Sequence, residues 1–167
     1  MSLPEAWLRG PMAGVDPYLM PAAHALVQAA EDLEAVASLS AEELQQRPGG
    51  AAPVGFHLRH LAGATGRLLS YARGRPLTGE QLELAASEAE AATPAEPVVL
   101  IAAARAALVE ALDEIHATPH HELLEPRLVG RQGLPSTVLG VLFHIAEHAS
   151  RHVGQMVTTA RVVRGKD

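Results

Sequence analysis

Apolar side chains at Ala23, Leu26, Val27, Ala30, Leu33 and Val36 recur every three or four residues, which predicts an amphipathic helix over Pro21–Ala37. Pro21 suits its first turn. The same periodicity predicts a second long helix over Pro53–Arg73, with Val54, Leu58, Leu61, Thr65, Leu68 and Ala72 on one face. A third is expected over Ala95–Ala117, with Val98, Ile101, Ala104, Leu108, Leu112 and Ile115 in its stripe, and a fourth over Thr137–Val163. Capping boxes at Ser40-Ala-Glu-Glu43 and Thr78-Gly-Glu-Gln81 predict short helices over Ala41–Gln46 and Gly79–Ala91. Arg47-Pro-Gly-Gly50, Gly74-Arg-Pro76, Thr93-Pro94 and Thr118-Pro119 supply the breaks. Leu123–Pro135, with two glycines and two prolines, reads as a connection with room for a short extended piece, though its alternation is weak, and Ser136 reads as the N-cap of the last helix. Four long amphipathic helices with short extras predict an all-α four-helix bundle. It is expected to be a single domain over residues 1–167, with residues 1–16 as an N-terminal arm and Trp7 packing that arm over the bundle. Arg105 falls inside the third stripe and reads as a side chain whose stem packs while its head reaches water. The competing reading is an inward cation that meets a buried acid or an anionic substrate.

Composition narrows the class. Apolar residues make up 48% and charged residues 19%, which is not the mix of a disordered chain. Five aromatic rings in 167 residues argue against an aromatic-rich sheet core. Thirteen Lys and Arg against nineteen Asp and Glu leave a net charge of −6, opposite in sign to a general nucleic-acid surface. The absence of cysteine removes thiolate metal sites, iron–sulfur clusters and cysteine nucleophiles. No apolar run is long enough for a membrane span, and Met1–Gly10, interrupted by Glu5 and Arg9, does not read as a signal peptide. A cytoplasmic protein without nucleic-acid or membrane partners is expected. No Gly-rich phosphate loop points to a nucleotide cofactor.

The unusual number is nine histidines. His144, His148 and His152 are spaced by four, so on a helix their rings form one ridge, each step advancing about 40°. His148 and His152 fall within or at the edge of the apolar stripe carried by Val141, Ile145, Met156 and Val163, with His144 and Gln155 on its flank. Histidines on a core-facing surface need buried partners. A lone one is more often hydrogen-bonded than metal-bound, but two histidines at i and i+4 can share a cation, and the second helix supplies His57 and His60. Periodicity places His57 nearer the middle of that helix's stripe than His60. A three-histidine site with open positions suits zinc, nickel, iron or another divalent ion. His24 reads as a flank residue of the first helix. His116, His120 and His121 read as groups near a helix C-terminus or in water.

The residues Val54-Gly-Phe-His-Leu-Arg-His-Leu-Ala62, with Arg67-Leu-Leu-Ser-Tyr-Ala72 after them, resemble the second helix of the DinB-like (YfiT-like) metalloenzymes. Ala146-Glu-His-Ala-Ser-Arg-His-Val-Gly-Gln155 resembles that family's last helix. The resemblance implies a helical bundle, commonly dimeric, with a divalent metal held by His60, His148 and His152. Zinc or nickel comes first, iron or manganese next. This chain adds His57 and His144 to the family pattern. Glu147 and Arg151, at i and i+4, read first as a surface ion pair. The sharper reading makes Glu147 an acid that orients a ligand imidazole, or a general base. Gln155 is placed to edge the site, and Arg67 to meet an anionic substrate or simply water. No catalytic residue is otherwise identified. Characterised relatives imply a small-molecule transferase or isomerase using a low-molecular-weight thiol, with hydrolysis as the other chemistry such a site allows. The alternative is a non-catalytic, metal-stabilised bundle acting as a stress-related or dimeric interaction protein, with His57 or His144 completing a closed site.

Overall fold

The computed structural model describes residues 3–88 and 96–165. Its long helices are α1 (Met20–Asp32), α2 (Val54–Ala72), α4 (Pro97–Ala117) and α5 (Val138–Val163), with a short α3 (Gly79–Ser87) after α2. The fold is mostly helical, as the periodicity predicts. A small antiparallel sheet of β1 (Pro126–Val129) and β2 (Leu134–Thr137) joins α4 to α5. Helices α4 and α5 each pack against both α1 and α2. Leu26, Leu58, Leu61, Leu108, Leu142, Ile145 and Met156 are fully enclosed between them and belong to one contiguous core. Burying each such side chain is worth about 1.5–3 kcal/mol.

The local signals act as sequence chemistry dictates, with exceptions. Thr78 caps α3 through a reciprocal box: its hydroxyl accepts from the Gln81 amide at 3.2 Å and Gln81 Oε1 accepts from the Thr78 amide at 3.0 Å. The Ser40 box is equally complete, yet the segment expected as a helix over Ala41–Gln46 forms one 3-10 turn, Glu43–Gln45. Gln46 turns to extended backbone just before Arg47-Pro48, so the box has no room to propagate. Helix α1 ends at Asp32 and tightens into a 3-10 turn over Leu33–Val36. Expected boundaries at Ala91 and Ala95 lie outside the described residues.

The short extended piece allowed for in Leu123–Pro135 is present, and three other expectations are corrected. The Leu123–Pro135 connection contains most of a hairpin, whose Gly130 and Gly133 adopt positive φ at 74° and 61°. Pro135 lies in a two-stranded ribbon with open edges, where a missing N–H is tolerated. Ser136 consequently belongs to β2, and the N-cap of α5 is Thr137, whose hydroxyl accepts from the Gly140 amide at 3.0 Å. Val98 is exposed, and Leu100 takes its place in the α4 face; Arg105 is also exposed, 3.6 Å from Glu34. Trp7 is 63% exposed and donates its indole N–H to Glu5. The arm is docked instead by buried Ala6, whose amide donates to Gln28, and by a bidentate Arg9–Glu31 pair at 2.6 and 2.7 Å.

The hairpin does structural work at two helix ends. Arg127 Nε donates to the carbonyl of Ala72 at 2.7 Å, placing a cation at the C-terminus of α2. The amides of Val138 and Leu139, at the start of α5, donate to the carbonyls of Glu125 and Leu123. The cap assignment is open to measurement by urea unfolding. Thr137→Ala should cost about 1 kcal/mol, whereas Ser136→Ala should stay within about 0.5 kcal/mol; the reverse order would overturn it.

Candidate metal centre

Helices α2 and α5 bring His57, His60, His148 and His152 into one seam. The spacing His148 to His152 is one helical turn, and the rings lie with centroids 4.4 Å apart. His60 enters from α2 with its centroid 5.1 Å from His148 and 4.7 Å from His152. One nitrogen from each of His60, His148 and His152 lies within 4.8 Å of the others. All three rings are half-buried, and Phe56 stacks on His60 at 5.5 Å with ring planes 9° apart.

The outward nitrogens identify the inward ones. His60 Nδ1 meets Glu88 Oε2 at 2.8 Å, and His152 Nδ1 meets His57 Nδ1 at 2.9 Å. The Nε2 atoms of His60 and His148 face each other at 3.2 Å. His148 Nδ1 is enclosed without a partner among the described residues. Zinc–imidazole bonds of about 2.0–2.1 Å at tetrahedral angles put neighbouring ligand nitrogens about 3.3 Å apart. The His60–His148 spacing suits such an edge, and an all-nitrogen donor set suits borderline divalent ions. The residues present therefore fit a metal.

Burial also sets the protonation state a metal needs. It is the first cause that lowers the pKa values of His148 and His152 to about 4, and coulombic repulsion from neighbouring side chains, His60 first for His148 and His148 first for His152, lowers them further. His57 is lowered for the same reasons, burial first and then His60. Burial alone would raise the Glu88 pKa, but hydrogen bonds from His60 and Arg67 hold this carboxyl below its ordinary value.

The other sequence candidates fall at the margins. His57 is buried against His152 and lies outside the three-nitrogen group. His144 is exposed and turns to Glu147 at 3.2 Å. Glu147 also pairs with Arg151 at 2.8 Å, so its carboxylate meets those two side chains on the outer face of α5. Gln155 is exposed and shares a groove with His57 and Arg151. Arg67 is not a solvated side chain: it binds Glu88 at 2.6 and 3.2 Å. On the opposite side of the seam, Arg67, Leu68, Tyr71, Leu77, His144 and His148 line a cavity of about 320 Å³. His24 donates from Nε2 to the Gly10 carbonyl at 2.9 Å, and His120 pairs with Asp16; neither belongs to the seam group.

Glu88 is the residue that sequence reasoning missed. It lies in an Ala/Glu-rich stretch with no motif, and its two partners, His60 and Arg67, are distant in sequence. Arg67 carried the available signal, because it stands two turns beyond His60 on the same helix.

With this geometry in place, the family model for the DinB superfamily matches residues 25–156, a span containing every residue of the seam. The chain belongs to the DinB superfamily. No curated protein and no solved structure matches it. The DinB span runs from within α1 to within α5, so α2 and the histidine-bearing part of α5 are inside it.

The lowered histidine pKa values have a consequence for stability. Unfolded imidazoles take protons near pH 6.5, whereas folded His148 and His152 resist them until about pH 4. The metal-free protein should thus be most stable above pH 6.5 and lose stability as the pH falls from there toward 4, with an uptake on unfolding of at most about two protons from this pair. Urea unfolding in chelator at several pH values measures it. His148→Gln should flatten the slope; an unchanged slope would remove His148 as its source.

Proposed function

We propose that this DinB chain is a divalent-metal-dependent enzyme with His60, His148 and His152 as the metal ligands. The observation that carries the reading is the convergence of three imidazole nitrogens from α2 and α5 beside a cavity. Zinc or nickel is the first choice of ion, with iron or manganese next. The four long helices are read as the family's four-helix bundle, forming a single domain that works as a cytoplasmic homodimer. No helix among the described residues is long and apolar enough to cross a membrane.

A divalent ion held there would supply Lewis acidity to a coordinated thiol, water or carbonyl group. The chain's residues supply the rest. His57 and Glu88 engage the outward nitrogens of His152 and His60, which orients both rings toward the seam. Leu68, Leu77 and Ala85 give this open pocket an apolar wall against which a small substrate would pack. Tyr71 and Arg67 are the polar groups of that wall and would orient the substrate. Thiol-dependent transfer or isomerisation is the chemistry put forward. The open side favours this over the closed, purely structural site, because His57 and His144 both engage other partners.

Metal analysis of untagged protein by plasma mass spectrometry tests the ligand set. About one divalent ion per chain is expected, lost in His60→Ala, His148→Ala and His152→Ala and retained in His121→Ala. Equal occupancy in all four variants would sink the assignment. His57→Ala should weaken binding without abolishing it, since His57 acts on His152 and not on the ion.

A further inference from the structure

Helix α3 has no fully buried residue, and Leu82 and Leu84 are 52% and 54% exposed. Its attachment to α2 is largely polar. Near its N-terminus, Gln81 Nε2 donates to the Gly66 carbonyl at 3.2 Å and to Ser70 Oγ at 3.0 Å. At its C-terminal end, Glu88 binds Arg67 through both carboxylate oxygens and His60 through one. Leu77, just before the helix, and Ala85, between these two fastenings, form one wall of the cavity that reaches His148.

The α2 surface is shaped for the second fastening. A Cβ added at Gly63 would collide with Glu88 Oε1 and come within 3.0 Å of Arg67 Nη1. Glycine inside a helix costs about 1 kcal/mol relative to alanine, so its presence here is consistent with space kept for the carboxylate. Glu88 has 13% and Arg67 15% side-chain exposure, so their pairing is shielded from solvent more than a surface ion pair.

We infer that Glu88 is a positioning residue: it latches α3 onto α2 and, through the same carboxylate, holds His60 with its proton on Nδ1 and its Nε2 lone pair turned toward His148 and His152. The latch makes the wall of the cavity and the orientation of one site imidazole a single unit. When α3 lifts, His60 loses the acceptor that selects its tautomer. A carboxylate acceptor also makes the ring a stronger donor toward an ion at Nε2. The effect on affinity rests on the metal reading above, whereas the tautomer and the docking of α3 do not.

The test uses the full chain at pH 8, metal-free for two of its readouts. Long-range ¹H–¹⁵N spectra report the His60 tautomer, and hydrogen exchange reports the amides of α3. A chelator competition then gives zinc affinity. In Glu88→Ala, the single Nδ1–H tautomer should become a mixture, α3 should exchange at least tenfold faster, and zinc should bind roughly 10–100-fold more weakly. Gly63→Ala should reproduce all three changes with Glu88 still present, which separates displacement of the latch from loss of the side chain. Glu88→Gln retains an oxygen acceptor and should recover the tautomer, with a smaller loss of affinity. Glu110→Gln, which removes a carboxylate paired with Arg73 elsewhere on the surface, should change none of them. An unaltered His60 tautomer in both Glu88→Ala and Gly63→Ala would overturn the inference. A wild-type chain that takes up no zinc while the tautomer and exchange respond would overturn the zinc-site reading and leave the positioning role supported.

Discussion

The structure depends on what it takes to dehydrate imidazoles between two helices. A neutral histidine has one donor and one acceptor, and both lose water when the ring enters a packed seam. Helix α5 drives His148 and His152 into that seam because Ile145, Ala149, Val153 and Met156 on the same side belong to the core. Helix α2 does the same to His57, which lies between Val54, Leu58 and Leu61. The fold then accommodates these rings by engaging the Nδ1 atoms of two of them outward. The Nε2 atoms of His60 and His148 are left to meet at the centre. The burial that is costly to a charged imidazole also enforces the neutral form that a metal binds, so packing and ligand chemistry reinforce each other.

This explains how two lines of sequence reasoning about α2 differ without conflict. Periodicity places His57 deepest, and it is the more buried of the pair. The family resemblance points to His60, which is the α2 histidine that joins the three-nitrogen group. Depth and convergence are separate properties. A site needs a ring at the edge of the apolar face, where it can lean across to the neighbouring helix and still reach a polar partner behind. His57 is too deep for that and instead supports His152.

The four long helices and much of their apolar faces were legible because each carries a sustained 3.6-residue pattern. The histidine seam was legible for the same reason, since wheel positions on α5 put His148 and His152 in the stripe. Failures came where a non-local contact decides. The hairpin could not be read from alternation, since Leu128 and Leu134 on its strands are exposed. Its role is instead to satisfy helix ends through Arg127 and two backbone carbonyls. Trp7 misled because size suggests burial, whereas Arg9 and Gln28 carry the docking of the arm. Glu88 was invisible because nothing in its neighbourhood has a period; its meaning comes from the distant residues it touches.

Those same differences divide the molecule by rigidity. Helices α2 and α5 hold the imidazoles on a scaffold whose inward side chains belong to the buried core, which is the arrangement that keeps ligand atoms in place. Helix α3 adds almost nothing to the core and is fastened by a few polar contacts, so its local opening costs far less than unfolding the domain. Placing the cavity between the two gives a site with one firm face and one lightly held face. A substrate could be admitted by movement of the second without disturbing His148 or His152. His60 is the exception, because its outward nitrogen belongs to the rigid helix while its acceptor belongs to the loose one. That single hydrogen bond is where opening of the cavity and quality of the site become the same event.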